Sequence, residues 1–291
     1  MGEILAILTA ALWAISGILI KNTTGDLGAI QISLIRIVPS ALVGVVVAII
    51  TGDILELNDI PVSAVGMLLF GSAFVAIGNL IFVKIISMES VSFVFPTTSG
   101  LYILFGLIAS YIFVDDPFTV YAVIGGFVIL VSLYVLSSGK NGSHEIKTDK
   151  QTQSYKIIAI SAVIAAIWVV GLILFDQAIG EVGPIAGNAI RMPAMVILLG
   201  VVTLATGNLH VRKASGKSIG MAAASGVFHG IACVTFFISI NLINPATSAI
   251  LSCTAPLFAA PMAFVFLKEH LSKTLIFGTI LCVIGVVITV A

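Results

Sequence analysis

Apolar residues fill this chain in long stretches, separated by a few polar positions. Ten such stretches can be marked, at about 2–20, 30–51, 62–86, 91–113, 118–137, 156–179, 184–206, 218–240, 245–267 and 273–291. A bilayer core about 30 Å thick is crossed by about 20 apolar residues as helix, and a helix satisfies its own backbone where no water can. The pattern therefore predicts an all-α integral membrane protein of ten transmembrane helices. Residues 138–155, rich in Ser, Gly, Lys and Asn, stand apart. They read as a polar linker between a first unit, 1–137, and a second, 156–291. The first run has a signal peptide's position but no basic segment before it, and is read as a mature helix.

Composition agrees. The chain is 59% hydrophobic and 9% charged, against about 45–50% and about 25% in soluble domains. A soluble globule, a disordered chain and a nucleic-acid binder are excluded, the last because it needs a basic face. Cys233, Cys253 and Cys282 all lie in apolar runs. None has the spacing of a metal site, so neither metal nor cofactor is expected.

The charges are segregated. Let face A be the side of residue 1. Lys21, Lys84, Lys140, Lys147, Lys150, Lys156, Arg212, Lys213, Lys217, Lys268 and Lys273 then all fall at face B, and none at face A. Face A carries Glu3, Asp53, Glu56, Asp59, Asp115, Asp116 and Glu181. Positive-inside bias puts face B and the linker in the cytoplasm and both termini outside a plasma membrane.

The two units match. A shift of 155 residues lays Trp13 on Trp168, the two tryptophans of the chain, and Arg36 on Arg191, the two arginines within spans. It lays Gly25, Asp26 and Gly28 on Gly180, Glu181 and Gly183, and Gly71 on Gly226. Farther on, a shift of 153 lays Phe105 on Phe258, Asp116 on Glu269 and Gly125 on Gly278. Five helices is an odd number, so the second repeat enters the bilayer from the opposite face. Inverted repeats of this kind enclose a midplane binding site in secondary transporters and give alternating access its symmetry.

Trp13, Arg36, Phe95-Pro96 and Asp116 in one half, then Trp168, Arg191, Ala255-Pro256-Leu257-Phe258 and Glu269 in the other, with Gly278 and Gly285 beyond, resemble the drug/metabolite transporter superfamily in its EamA-like branch. The resemblance covers nearly the whole chain. It implies a tandem pair of five-helix inverted repeats, a central cavity lined by helices 1, 3, 4, 6, 8 and 9, and peripheral helices 5 and 10. Two departures stand out. Many relatives have basic, hence cytoplasmic, termini. The family's proline is also missing at Ile103, the counterpart of Pro256, and Pro96 stands about two turns earlier.

Within those helices, polar and aromatic residues near mid-span are the substrate-binding candidates, since an intramembrane polar group is costly and faces protein or water. Helix 1 offers Trp13 and Ser16 in one stripe with Thr9, and helix 6 offers Trp168 with Ser161. Helix 3 adds Asn79; helix 4 adds Phe95, Ser99 and Tyr102. Helix 8 adds His229, and helix 9 adds Ser252 and Thr254 between Pro245, Pro256 and Pro261, which mark it as broken. The plainer readings are packing for the tryptophans, close helix approach for the neighbouring glycines, and a neutral, satisfied imidazole. His229 is the one histidine in a span interior and so the candidate for proton coupling. Arg36 and Arg191 read as structural or gating residues that snorkel to their own interfaces, Arg36 toward Asp26 and Glu89, and Arg191 toward Glu181; the functional alternative is that one of them holds a substrate carboxylate or phosphate. Pro96 and Pro256 are the gating kinks.

No Asp, Glu or Lys falls mid-span. That argues against organic-cation exchange through a membrane carboxylate and for neutral or zwitterionic metabolites such as amino acids, moved outward by a secondary transporter. The alternative is a non-transporting sensor or assembly partner on the same fold. A membrane enzyme has no HExxH, GxSxG or carboxylate pair to rest on, and no Walker A motif is present. The expected partners are the small-molecule solute and the lipid bilayer, with Gly125, Gly126, Gly278 and Gly285 offering a homodimer contact.

Overall fold

The computed structural model describes residues 1–58, 60–113, 119–138, 147–208, 214–243 and 245–289. Asp59, Asp115, Asp116, Lys140, Arg212 and Lys213, and the first part of the polar linker, lie outside the described residues. The helices of the first half are α1 (Gly2–Thr23), α2 (Ala29–Thr51), α3 (Val62–Met88), α4 (Val91–Phe113) and α5 (Val120–Ser138). Those of the second are α6 (Lys147–Val182), α7 (Pro184–Ala205), α8 (Gly216–Ile243), α9 (Pro245–Ser252), α10 (Ala255–Leu267) and α11 (Lys273–Ile288).

Helices α9 and α10 form one broken span. The turn falls at Cys253 and Thr254, directly before Pro256, which has no N–H to continue the ladder. Counting that pair once, nine helices among the described residues are long and apolar enough to cross a bilayer, and α11, with 16 residues, is the shorter tenth. The chain is thus a multi-pass membrane protein. One boundary differs from the sequence reading. Residues 147–155 belong to α6, because that segment contains neither Gly nor Pro and is rich in Lys and Gln, which favour helix.

The packing follows the repeat. α1 lies against α8, and its counterpart α6 lies against α3, the counterpart of α8. α2 packs on α7 and α5 on α11, each helix on its own counterpart. These are the pairings of two five-helix units related by an in-plane two-fold axis.

Glycines make the tightest contacts. A Cβ at Gly226 would run into the Arg36 carbonyl oxygen, and one at Gly230 would lie 2.8 Å from the Ser40 carbonyl oxygen. Here α2 and α8 meet backbone to backbone, and Ser40 donates to the Gly226 carbonyl at 2.7 Å. A Cβ at Gly125 would lie 2.6 Å from the Gly285 carbonyl oxygen, and one at Gly278 2.8 Å from Leu136. Gly126 faces Leu104 of α4. The glycines offered for a homodimer contact are therefore used inside the chain, where small residues let helices approach closely.

Two apolar clusters flank the centre of the bundle. Ile18, Phe82, Val83, Val94 and Ala259 form one toward face B; Leu68, Phe175, Ile179, Phe237 and Ile240 form the other toward face A. At face B, Lys21 Nζ donates to the carbonyls of Ile86 and Glu89, each at 2.8 Å. This ties the end of α1 to the end of α3. Asp26 does not approach Arg36. It accepts from Ser215 at 2.8 Å and Ser218 at 2.6 Å, joining the α1–α2 turn to the start of α8.

Candidate functional site

Between the two clusters lies a cavity of about 140 Å³, room for roughly ten water molecules. Helices of both repeats wall it. α1 contributes Trp13 and Ser16, and α3 contributes Asn79. α4 contributes Phe95, Ser99 and Tyr102; α6 contributes Trp168. α8 contributes His229, and the α9 end contributes Ser252. Thr254 is the exception: it is not part of the wall. It sits in the α9–α10 break and donates to the Leu251 carbonyl at 2.7 Å, as a threonine does where a helix has just ended.

Not every wall residue has a free polar group. The Ser16 and Ser225 hydroxyls are 2.8 Å apart, and Ser225 also donates to the Ser16 carbonyl at 3.1 Å. The Thr9 and Thr235 hydroxyls pair at 2.7 Å about two turns nearer face A. The helix 1 stripe is largely a polar clasp on α8, with Trp13 between its two fasteners.

The two tryptophans occupy equivalent places. Trp168 stands 5.3 Å from Phe82 and 6.2 Å from Tyr102, ring centre to ring centre. A Cβ at Gly78 would come within 2.6 Å of its indole nitrogen. Trp13 lies 5.3 Å from Phe236. Both indole N–H groups are buried and neither has a hydrogen-bond partner among the described residues. Buried polar groups are nearly always satisfied, so two orphan donors on residues that wall one cavity stand out, though both atoms are packed against protein in this state.

The arginines overturn the snorkelling expectation. Arg36 is 8% exposed and Arg191 4%. Both guanidiniums line the cavity, and neither forms an ion pair with a carboxylate among the described residues. The repeat explains how each is held. Arg191 donates through Nε to Asn188 one turn away, at 3.0 Å, and lies over the rings of Phe237 and Phe175 at 4.5 Å and 4.9 Å. The residue equivalent to Asn188 is Ser33, too short to reach, and its hydroxyl has no partner among the described residues. Arg36 turns to α8 instead, with Nη2 2.6 Å from His229 Nδ1. The residue equivalent to His229 is Phe74, which cannot accept.

Arginine can only donate, so His229 Nδ1 accepts. Its proton then sits on Nε2, 3.6 Å from Cys233 Sγ. Arg36 Nε remains without a partner among the described residues.

Other wall residues escaped the sequence reading, among them Thr98, Phe82 and Phe237. The 155-residue shift would have found Phe82 and Phe237 as a pair, had aromatics as well as polar residues been followed along it. It also relates Gly17 to Leu172, and both line the cavity.

The family model for the EamA-like transporter family matches residues 1–138 and 156–291, the two repeats with the polar segment omitted. No curated protein matches the chain in sequence. A solved structure titled "Crystal structure of protein" superposes with a TM-score of 0.69 at 14% identity, covering 99% of this chain and 94% of its own. That likeness is one of fold.

Proposed function

The chain belongs to the EamA-like transporter family, and from that premise we propose that it is a secondary transporter that exports small metabolites of amino-acid size, neutral or zwitterionic, by alternating access. The observation that carries this reading is the cavity walled by helices of both repeats. Its wall is aromatic and hydrogen-bonding, holds no Asp or Glu among the described residues, and is flanked by apolar clusters toward the two faces. Such a cavity suits a solute that must leave water, and the pseudo-two-fold packing supports a second state in which the two repeats exchange roles. The lysine count supports a plasma-membrane orientation with face B in the cytoplasm. His229 is the candidate for proton coupling, as the histidine of the cavity wall.

The test is counterflow in proteoliposomes of known sidedness, without ATP, over a panel of amino acids and related metabolites. Saturable exchange of at least one solute is expected. Protein that is folded and correctly inserted, yet moves nothing above empty liposomes, would overturn the reading.

A further inference from the structure

The cavity has a surplus of hydrogen-bond donors. Arg36 Nε and the two indole nitrogens are buried within its wall, covered by protein and without partners among the described residues. Both guanidiniums are buried in the same wall with no carboxylate beside them. Two unpaired cations in a membrane interior are expensive. Asn188 Oδ1 and His229 Nδ1, both neutral, each accept from one guanidinium nitrogen, and the Cys233 thiol, also beside Arg191, supplies no carboxylate charge. His229 can serve Arg36 only while Nδ1 carries no proton, and in that form it leaves the positive charge of the pair uncompensated.

We propose that Arg36 and Arg191 form an anion subsite that holds the carboxylate of the solute, while the indole and phenyl rings of Trp13, Trp168 and Phe82 take its apolar body. The inference rests on the transporter reading for the path the solute follows. It adds which end of the solute is recognised. A zwitterion is held by its acidic end, and the cavity has no carboxylate among the described residues to receive the ammonium. Deleting the amino group from such a solute is therefore tolerated, and deleting the carboxylate is not. Charge-assisted, two-pronged contacts are the means by which arginine selects carboxylates over neutral isosteres.

Trp13 and Trp168 are the only tryptophans of the chain and both line the cavity, so intrinsic fluorescence of the purified protein in detergent reports occupancy directly. Four probes with one body separate the head groups: leucine, 4-methylpentanoate, leucinamide and isoamylamine. Saturable fluorescence changes are expected with leucine and 4-methylpentanoate. The two probes without a carboxylate are expected to bind at least about tenfold more weakly, the loss of one charged hydrogen bond. R36Q and R191Q should each weaken 4-methylpentanoate by about tenfold or more and leave leucinamide where it was. Should either variant fail to fold, the head-group series on the unmodified chain decides alone.

Equal binding of leucinamide and 4-methylpentanoate overturns the subsite, as does the absence of binding by both carboxylates. The two readings fail separately. Counterflow of solutes lacking a carboxylate, without carboxylate binding, removes the subsite and keeps the transporter. Carboxylate binding without flux of any solute keeps the subsite and removes the transporter.

Discussion

The Glu269 carboxylate, in the turn between α10 and α11, accepts the Val91 backbone N–H at 2.9 Å, across to the first turn of α4. It also accepts the Ser92 N–H at 3.1 Å and the Ser92 hydroxyl. A helix begins with unpaired N–H groups and the positive end of its dipole, and here the cap comes from the other repeat. Glu269→Ala is expected to cost about 1–2 kcal/mol, as the loss of a charged N-cap does. Glu269→Gln should cost less, because one carbonyl oxygen still accepts. Thermal unfolding in detergent, comparing the two variants, measures the difference. Equal stability of all three proteins would show that the contact is incidental.

The backbone contact of α2 on α8 gives a sharper contrast. Gly226 faces the Arg36 carbonyl oxygen, a backbone atom that has no rotamer to move away, whereas a Cβ at Gly220 on the same helix would meet nothing within 4 Å. Gly226→Ala should collapse the yield of monodisperse protein on size exclusion. Gly220→Ala should be neutral or stabilising by up to about 1 kcal/mol, since alanine is the better helix former. A tolerated Gly226→Ala would mean that the two helices are not in backbone contact.

Much of this was legible in the sequence, and the reasons differ by feature. Ten apolar runs show themselves because lipid accepts nothing else. The repeat shows itself because tryptophan and membrane arginine are rare enough for coincidence at one offset to carry information. That offset pairs Phe74 with His229, yet only the folded structure shows that one supports an arginine and the other cannot. Arg36 and Arg191 were misread because position along a helix gives depth in the bilayer but not the direction in which a side chain points. Thr254 was misread because a hydroxyl beside a proline break serves its own backbone first. The Ser16 clasp needed α8 in place before it could be seen.

The indoles allow packing to be separated from binding. Replacing Trp13 or Trp168 by phenylalanine keeps most of the apolar area and removes an N–H that has no protein partner among the described residues. Melting temperature should then change little. Solute affinity in counterflow should fall by about 3–10-fold, the value of one hydrogen bond. Trp168→Ala, by contrast, empties the space beside Gly78 and Phe82 and should cost about 3–5 kcal/mol of stability. A phenylalanine variant with unchanged affinity would assign the indoles to packing.

Asp26 supplies a test in the acid range. Hydrogen bonds from Ser218 and Ser215 hold its carboxyl below the usual aspartate value. A group with a lowered folded pKa adds stability that is present above its unfolded value, about 3.9. That stability is lost as pH falls through the folded value. The melting temperature of the unmodified protein should exceed that of Asp26→Asn by a constant small margin above about pH 5, narrowing below about pH 4. The margin is small because the carboxylate is exposed to solvent. A gap that widens on acidification would assign the opposite sign to the contact.

His229 is both the acceptor for Arg36 and the residue proposed for proton coupling, and two substitutions divide these roles. Arg36 from α2, Arg191 from α7 and Cys233 on α8 itself are the charged and titratable groups around the ring. A proton arriving at Nδ1 must displace the Arg36 guanidinium, so protonation and the holding of Arg36 exclude each other. Glutamine at position 229 can still accept from Arg36 but cannot take up a proton near neutral pH; leucine can do neither. His229→Gln should therefore retain counterflow while losing its pH dependence between about pH 5 and 8. His229→Leu should be the less stable of the two by about 1–3 kcal/mol, because it leaves a buried guanidinium nitrogen unpaired. Counterflow in His229→Gln that keeps the pH profile of the unmodified protein would remove His229 from coupling and leave it as the support of Arg36.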